Sequence, residues 1–177
     1  MSCNQLSYCP ESVWSPATSA DRIECFASPV TTTRRQVAMN AAYGGLGPLS
    51  ATTTPFTAPV NIVSAGIDTR CVGSAAILLN FSGTITLPAS SIVTLNIQIR
   101  RTGCGGQSAI IGSTYTFSET AAALKSESFG FQLYDPNVRP GFYIYSAELS
   151  TSSSIAGPPG VTISNAVLSI LAVPVCG

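Results

Sequence analysis

The stretch SIVTLNIQIRR, residues 91–101, alternates apolar and polar side chains more regularly than any other part of the chain. Its odd-numbered positions from Val93 to Ile99 are aliphatic, and its even-numbered positions from Thr94 to Arg100 are polar. Successive side chains of a β-strand point to opposite faces of a sheet. This period of two therefore predicts a strand with one buried face and one solvated face.

Similar stretches recur from residue 60 onward, bounded by Gly, Pro, Asn, Asp or Ser, which favour turns. We expect strands over the segments 60–69, 74–81 with a continuation or kink over 83–87, 91–101, 110–117, 126–134, 142–149, and 161–173 with a bend near Ser164 and Asn165. Gly83 suits a β-bulge. About eight strands at this spacing, without a long amphipathic helix, predict an all-β fold. The expected architecture is an antiparallel two-sheet sandwich of the jelly-roll type.

The N-terminal third gives mixed signals. Residues 1–20 are polar and aperiodic, and we expect an extended N-terminal connector arm there, followed by a single β-sandwich domain over residues 21–177. Arg22–Phe26 alternates as a short strand does. Gln36–Tyr43 indicates one or two helical turns, and Gly44–Pro48 is expected to be a loop.

The apolar faces of these strands define the expected core. Burying one such side chain contributes roughly 1.5–3 kcal/mol. The predicted core comprises Ile77, Leu79, Phe81, Val93, Leu95, Ile97, Phe117, Phe129, Phe131, Leu133, Phe142, Ile144, Leu168 and Ile170.

A turn is expected between the strands 126–134 and 142–149. It should start at Asp135–Asn137 and end at Pro140–Gly141.

Charge and residue usage argue against several classes of function. Only 9% of the residues are charged, and eight basic residues balance eight acidic ones, so a nucleic-acid partner is not expected. The chain has no His, which removes His-based catalytic triads and His-ligated metal. We therefore expect no enzymatic activity and no cofactor. The sequence shows neither a signal-peptide pattern at its start nor an apolar run long enough to span a membrane.

The cysteines are Cys3, Cys9, Cys25, Cys71, Cys104 and Cys176. No two form a Cys-x-x-Cys pair, which disfavours zinc, and a catalytic thiol would lack a His base. Disulfides are favoured, with fifteen pairings open to six cysteines, while free thiols in a reducing cytosol are the alternative. Three of the cysteines lie on the arm or at the chain end and Cys104 lies at a turn, so these thiols are well placed to reach a neighbouring subunit.

Two further sets of charged side chains have ordinary explanations. Glu119 and Glu127 flank a short turn, and a pair of carboxylates can perform glycoside hydrolysis. No aromatic cleft accompanies them, so we expect solvated surface acids. The doublets Arg34–Arg35 and Arg100–Arg101 are expected to be surface or interface charges rather than anion sites.

Seven short segments, in their order and spacing, resemble a known family. They are Asp68–Cys71, Ala76–Phe81, Thr94–Ile99, Gly103–Gln107, Ser126–Phe131, Pro140–Tyr143 and Val161–Ala166. Over residues 60–177 the chain resembles small surface proteins of unknown function from clostridia, which are spore-forming Firmicutes. The arm followed by a β-sandwich is also similar to the architecture of the endospore-appendage pilins of Bacillus.

The resemblance to these pilins implies how copies of the chain would be linked. In those pilins, a short jelly-roll subunit without a signal peptide carries a Cys-bearing N-terminal connector that forms disulfides with neighbouring subunits. By this resemblance Cys3 and Cys9 are connector thiols, and Cys25, Cys104 and Cys176 are candidate partners in other copies. Cys71 is a further disulfide candidate. The present chain is longer than those pilins, and its first cysteines are single and more widely spaced.

These observations predict a structural protein that self-assembles into a fibre at an extracellular or spore surface, through strand augmentation, a docked arm and intersubunit disulfides. Lysis of a sporulating mother cell would expose the cysteines to oxidising conditions without an export signal. The expected partners are copies of the chain and a spore-coat or surface anchor protein, with no membrane partner. The alternative is a jelly-roll carbohydrate-binding or adhesin module, in which Tyr8, Trp14, Tyr143 and Tyr145 would stack on sugars.

Overall fold

The computed structural model describes residues 36–175. In that range the strands are β1 (Ala38–Leu49), β2 (Val60–Asp68), β3 (Ala75–Leu87), β4 (Ser91–Gly103), β5 (Ser108–Ala121), β6 (Lys125–Val138), β7 (Phe142–Thr151) and β8 (Val161–Pro174). They form two antiparallel four-stranded sheets. The first sheet has the strand order β1-β8-β3-β6, and the second sheet has the order β2-β7-β4-β5. This interleaved order in two facing sheets is a jelly roll, and it confirms the predicted all-β sandwich.

The core lies between the sheets and is built from alternate positions of the central strands. In β4 the odd-numbered residues from Val93 to Ile99 are buried, and the polar residues between them are partly exposed. Phe129 and Phe131 are partly buried against the core. The prediction is confirmed for the buried residues Ile77, Leu79, Phe81, Val93, Leu95, Ile97, Phe117, Leu133, Leu168 and Ile170.

The predicted inward face of β7 is wrong. Phe142 and Ile144 are exposed, whereas Tyr145 and Leu149 are completely buried. The Tyr145 ring fills the core because its hydroxyl donates a hydrogen bond to the Asp135 carboxylate, 2.8 Å away. A tyrosine whose polar tip has a buried acceptor packs as a core residue.

The predictions for β1 are also wrong. Instead of helical turns over residues 36–43 and a loop over 44–48, one strand runs to Leu49 and pairs with β8. This long-range ladder outweighs the weak local preferences of a glycine-rich stretch. A Cβ atom at Gly44 would lie 2.4 Å from the carbonyl oxygen of Ile62, so the close approach of β1 to β2 requires glycine.

Two predicted irregularities are confirmed, and one predicted turn is displaced. The register between β3 and β8 shifts at Gly83, which therefore lies at a bulge. The predicted bend in β8 contains Asn165, whose φ is 51°. The turn expected to start at Asp135 begins later, since β6 continues to Val138.

Side chains close both long sides of the sandwich. On one side β1 faces β2, and the side-chain amide of Asn40 donates to the carbonyl oxygen of Gly66 at 2.7 Å. On the other side β5 faces β6 across an aromatic seam, defined as Tyr115, Phe117, Phe129 and Phe131. The Tyr115 and Phe131 rings stack with their centroids 3.8 Å apart, and Phe117 meets Phe129 edge-on at 5.8 Å.

The strand registers place the β2–β3, β4–β5 and β6–β7 loops at one end of the sandwich. The described chain also enters and leaves at this end, where the Val175 amide donates to the Ser74 carbonyl at 2.9 Å. Several predictions fall on residues 1–35 and 176–177, outside the described range. They concern the arm over residues 1–20, the strand Arg22–Phe26, the doublet Arg34–Arg35, and Cys3, Tyr8, Cys9, Trp14, Cys25 and Cys176.

Candidate functional site

Two cysteines lie in the described range, both at the end of the sandwich where the chain enters β1. Cys71 lies in the loop between β2 and β3, and Cys104 lies in the loop between β4 and β5. Both are disulfide-bonded. The Cys104 sulfur also lies 3.5 Å from the carbonyl oxygen of Phe142. The assignment of cysteines to links between subunits stays a prediction.

The predicted carboxylate pair meets at a lysine. Lys125 Nζ lies 3.0 Å from Glu119 Oε2 and 2.6 Å from Glu127 Oε1. The hydrogen bond from Lys125 holds the pKa of Glu119 below its ordinary value, and the bond to Glu127 contributes most to a raised pKa of Lys125. A glycosidase acid needs a carboxyl group whose pKa is raised. The cluster is therefore an ion-pair network between β5 and β6, as expected for surface acids.

A second polar cluster joins the two sheets inside the sandwich. The Asp135 carboxylate on β6 accepts hydrogen bonds from the Tyr145 hydroxyl at 2.8 Å and from Arg101 Nη1 at 2.7 Å. Burial, reinforced by the hydrogen bond to Asp135, raises the pKa of Tyr145 far above its ordinary value, so the hydroxyl keeps its proton. The guanidinium carbon of Arg101 also lies 5.6 Å from the centre of the Tyr143 ring. These mutually satisfied groups link β4 and β7 to β6.

Sequence reasoning missed this interior cluster, although a signal for it was present. In β4 the odd-numbered residues face inward, and Arg101 is the next odd-numbered residue after Ile99. In β6 the odd-numbered residues also face inward, and Asp135 is the next one after Leu133. Charged side chains that continue a buried alternation indicate an interior ion pair. The side chains of Arg100 and Arg101 are both partly exposed, 31% and 28%, which agrees with the expected surface or interface role; Arg101 in addition reaches the buried Asp135 carboxylate.

The outer face of the second sheet carries paired polar side chains. Arg100 Nε lies 2.9 Å from the Glu148 carboxylate, and the Gln98 amide donates to the same carboxylate at 3.2 Å. Neighbouring strands pair their smaller polar groups as well: Thr94 with Ser118 at 3.1 Å, Thr116 with Asn96 at 2.9 Å, and Ser64 with Ser146 at 2.8 Å. Much of the polarity of this face is therefore satisfied within the monomer.

The outer face of the first sheet has a different composition. Strands β1, β3 and β8 contain no Asp, Glu, Lys or Arg. The charged residues of β6 occupy alternate positions whose side chains bond within β6, to β5 or to the interior cluster. Apolar side chains are exposed on this face without charged neighbours, and they are Met39, Tyr43, Leu78 and Tyr134. The outer face of the second sheet also exposes apolar side chains, such as Ile92 and Ile144, but that face carries an ion pair as well. Covering such a face desolvates no ion, so it is a candidate surface for assembly.

Two of the aromatic residues considered for sugar stacking lie in the described range, and neither is a freely exposed ring. Tyr145 is fully buried. Tyr143 is partly buried beside the Arg101 guanidinium, and its hydroxyl donates to the Arg139 carbonyl at 3.0 Å. The sugar-stacking role is therefore wrong for Tyr145, and Tyr143 has a structural role at the same end of the sandwich.

Residues 36–175 contain no group of three or more His, Cys, Asp or Glu side chains that could hold a metal ion. Over the same range, no helix is long and apolar enough to cross a membrane. The absence of a cofactor and of a membrane partner remains an expectation from the sequence.

The strand order and the two closed sides define this chain as a jelly-roll domain. Residues 44–173 match the family described as "Domain of unknown function (DUF4489)", and the chain belongs to that family. The match covers β2 through β7, the second half of β1 and nearly all of β8. The match confirms one part of the resemblance, namely that the chain belongs to a family of unknown function. No curated protein matches the chain.

Several solved structures share similarity with the chain at low sequence identity. A structure of infectious bursal disease virus, Gx strain, is 14% identical over 77% of this chain and 33% of that chain, with a TM-score of 0.48. The xylan-binding domain CBM22-1 of Paenibacillus barcinonensis Xyn10C is 10% identical over 75% of this chain and 94% of that chain, with a TM-score of 0.34. This chain thus spans about one third of the viral chain. At these values the similarities do not extend to function.

Proposed function

We propose that this chain is a structural subunit that assembles with copies of itself into a fibre at an extracellular or spore surface. The observation that carries the proposal is the free edge of β6. This strand pairs with β3 on one side, and no other described strand pairs with its other side. From Ser126 to Tyr134 it contains no proline and one charged residue, Glu127, whose carboxylate is bound by Lys125.

An edge of this length favours the addition of another strand. Natural sheets protect their edges with proline, lysine, bulges or short strands. In β6, Lys125 and Pro136 stand near the two ends. In the middle, the Tyr115 side chain of β5 bonds the Gln132 carbonyl, but no described strand pairs with this edge. Main-chain hydrogen bonds to a strand of another copy would extend the sheet across two subunits.

The backbone at Gln132 is oriented for such a contact. Its carbonyl oxygen accepts a hydrogen bond from the Tyr115 hydroxyl at 3.2 Å and so points away from β3. In an antiparallel strand, the N–H and C=O of one residue point to the same side. The Gln132 N–H therefore faces the free edge. If β6 meets a different edge in the next copy, such as β2 or β5, the contact is head-to-tail and repeats into a filament.

The cysteines and the charge balance support the same proposal. By the resemblance to endospore-appendage pilins, the arm carries Cys3 and Cys9 to a neighbouring copy, where Cys25 and Cys176 are the candidate partners. Cys104, the third candidate from the sequence, is already disulfide-bonded. One cross-link adds roughly 2–4 kcal/mol. Equal numbers of basic and acidic residues weaken the repulsion between copies. The ion pairs that hold Glu119, Asp135 and Glu148 favour a structural rather than an enzymatic role.

Oxidation of the purified chain, followed by negative-stain electron microscopy and a non-reducing gel, tests the proposal. We expect fibres and a ladder of covalent multimers that a reductant collapses. The double substitution Cys3→Ala, Cys9→Ala should lose the ladder. A monodisperse monomer under oxidising conditions would contradict the proposal.

The role of the β6 edge is tested by Gln132→Pro. This change removes the outward N–H without removing a donor to β3, so it should abolish fibres. Gln132→Ala is the matched control, because it keeps the backbone donor and should assemble normally. Circular dichroism verifies that both variants stay folded. Normal fibres from a folded Gln132→Pro variant would show that this edge is not the contact.

A further inference from the structure

Two rows of side chains cross all four strands on the outer face of the first sheet. The first is the apolar row, in which Met39 pairs with Leu171, Leu171 with Leu78, and Leu78 with Tyr134. Met39, Leu78 and Tyr134 are exposed, and Leu171 is partly exposed. Exposed apolar groups in one continuous line across a sheet indicate a contact surface.

The second row begins at a projecting ring and ends at a hollow. Tyr43, which is 82% exposed, pairs with Val167, Val167 pairs with Ser82, and Ser82 pairs with Gly130. A depression of about 330 Å³ lies at the Gly130 end of this row. Its lining includes Ser82, Thr84, Ser128, Asn165 and two glycines, Gly83 and Gly130. Gly130, at an outward position, leaves space because it has no side chain.

We propose that two copies of this chain pair face to face through this surface, about a two-fold axis that runs parallel to the strands between β8 and β3. This axis exchanges the two edges of the sheet. It places Tyr43 of each copy over the hollow at Gly130 of the other copy. In the apolar row it places Met39 over Tyr134 and Leu171 over Leu78. The same patch is used by both copies, so the contact closes as a dimer.

The charge pattern selects a second copy as the occupant. A face that binds itself across a two-fold axis brings its own charges together, and like charges in contact oppose binding. The described strands of this sheet place no Asp, Glu, Lys or Arg at the outward positions, so this penalty is absent. A strongly acidic or basic partner would find no complementary charge here. A second copy of the same face supplies both the ring and the hollow.

The size of the face suits a stable dimer. Four strands about 4.8 Å apart, with about 13 residues at about 3.3 Å each, span roughly 19 Å by 43 Å, or roughly 800 Å². A standard specific interface buries about 800 Å² on each partner. Facing sheets pack about 10 Å apart with interdigitated side chains. A ring that projects as far as Tyr43 therefore needs a hollow opposite it.

The pairing and the proposed function both take another copy of this chain as the partner. The pairing uses the outer face of the first sheet, whereas the proposed fibre uses the β6 edge and the cysteines. The two are separable by experiment. Fibres that persist without face pairing would leave the proposed function standing, and a dimer that persists in the double substitution Cys3→Ala, Cys9→Ala would leave the pairing standing.

The mass of the full chain in a reductant, measured by sedimentation velocity over a range of concentrations, tests the pairing apart from disulfide links. Leu78→Lys places a charge in the apolar row and should weaken pairing roughly 100-fold while the chain stays folded by circular dichroism. Ile144→Lys is the matched control. Ile144 and Leu78 are both 41% exposed, but Ile144 lies on the outer face of the second sheet. A monomeric wild-type chain, or equal effects of the two variants, would overturn the pairing.

A complementation experiment tests the two-fold arrangement itself. Tyr43→Lys and Ser82→Glu should each weaken pairing when measured alone. An equal mixture of the two variants should recover it, because the introduced lysine of one copy meets the introduced glutamate of the other. If neither variant weakens pairing, or if the mixture fails to recover it, Tyr43 does not occupy the hollow of a second copy. If the wild-type chain polymerises even in the reductant, fibre width replaces mass as the readout, and Leu78→Lys should give narrower fibres.

Discussion

The two outer faces of this sandwich have the same geometry and different chemistry. The second sheet presents an ion pair between Arg100 and Glu148, with Gln98 bonded to the same carboxylate. The first sheet presents no charged side chain among its described outward positions, and its exposed groups include Met39 and Tyr43. Both faces expose apolar side chains, including Leu78 on the first sheet and Ile144 on the second, but only the second face also carries charged side chains.

The contrast shows that strand order, rather than composition, produces a contact surface. The apolar row takes residues from both ends of the described chain, because β1 pairs with β8 and β8 pairs with β3. The few charges of the first sheet all lie on β6, at positions whose side chains bond within β6, to β5 or to the interior. Removing a charge should therefore change stability in the interior, and introducing a charge should change association at the first outer face.

The largest expected effect follows from removing the charge that the first sheet keeps inside. Asp135→Ala removes the acceptor of the Tyr145 hydroxyl and the counter-charge of Arg101. Breaking a buried ion pair by removing one partner costs about 3–5 kcal/mol. We expect a loss of about 3 kcal/mol in the free energy of unfolding, because the Arg101 side chain is 28% exposed. Urea unfolding followed by circular dichroism measures it.

Asp68→Ala is the matched control for the buried aspartate. Asp68 also bonds to an arginine, since Arg70 Nε lies 3.0 Å from its carboxylate, but its side chain is 41% exposed. An exposed pair contributes less than about 1 kcal/mol. Equal losses in the two variants would refute the view that Asp135 is distinguished by its burial between the sheets.

A smaller effect is expected on the outer face of the second sheet. Glu148→Gln removes the charge that Arg100 and Gln98 share, but the amide oxygen can still accept a hydrogen bond. We expect a loss of about 1 kcal/mol, since the Glu148 side chain is only 14% exposed. Urea unfolding at low and high salt measures the loss, which should shrink as salt screens the pair. Sedimentation should show unchanged association, and a change would mean that this face also contacts other copies.

The alternation in β4 and the recurring turn residues were sufficient to predict two facing sheets. Leu95 and Ile97 were correctly placed in the core because the period of two is visible within one strand. β1 was missed because its glycine-rich sequence has little local preference, and its pairing with β8 comes from a distant part of the chain. The face of β7 was missed because burial of Tyr145 depends on an acceptor, Asp135, from the other sheet.

The candidate site was predictable only where its parts are close in sequence. Glu119 and Glu127 were expected to be neighbours because a short turn separates them, and both bond to Lys125. The apolar row was not predictable from any single segment. It requires Met39, Leu171 and Leu78 to meet across three strands, which depends on the sheet order.

The effect of pH is expected to be the smallest, and its sign follows from three groups. Burial raises the pKa of Asp68, but the hydrogen bonds from Arg70 outweigh burial and lower it, and Lys125 lowers the pKa of Glu119. A lowered pKa stabilises the fold fully above the ordinary values of 3.8 and 4.5, and this contribution is lost as the pH falls through the folded values. The pKa of Tyr145 is raised, so its contribution is full below 10.0 and is lost as the pH rises above that value.

Between these limits the fold and the first outer face should both be insensitive to pH. The chain contains no His, so no imidazole titrates between about pH 5 and 8. The described outward positions of the first sheet carry no carboxylate or amine, so face pairing should be as constant as the melting temperature. Melting temperature and sedimentation, measured together from acid to alkaline pH, check both expectations. A step in association within this range, at constant melting temperature, would place a titrating group in the contact and so contradict its assignment to the uncharged face.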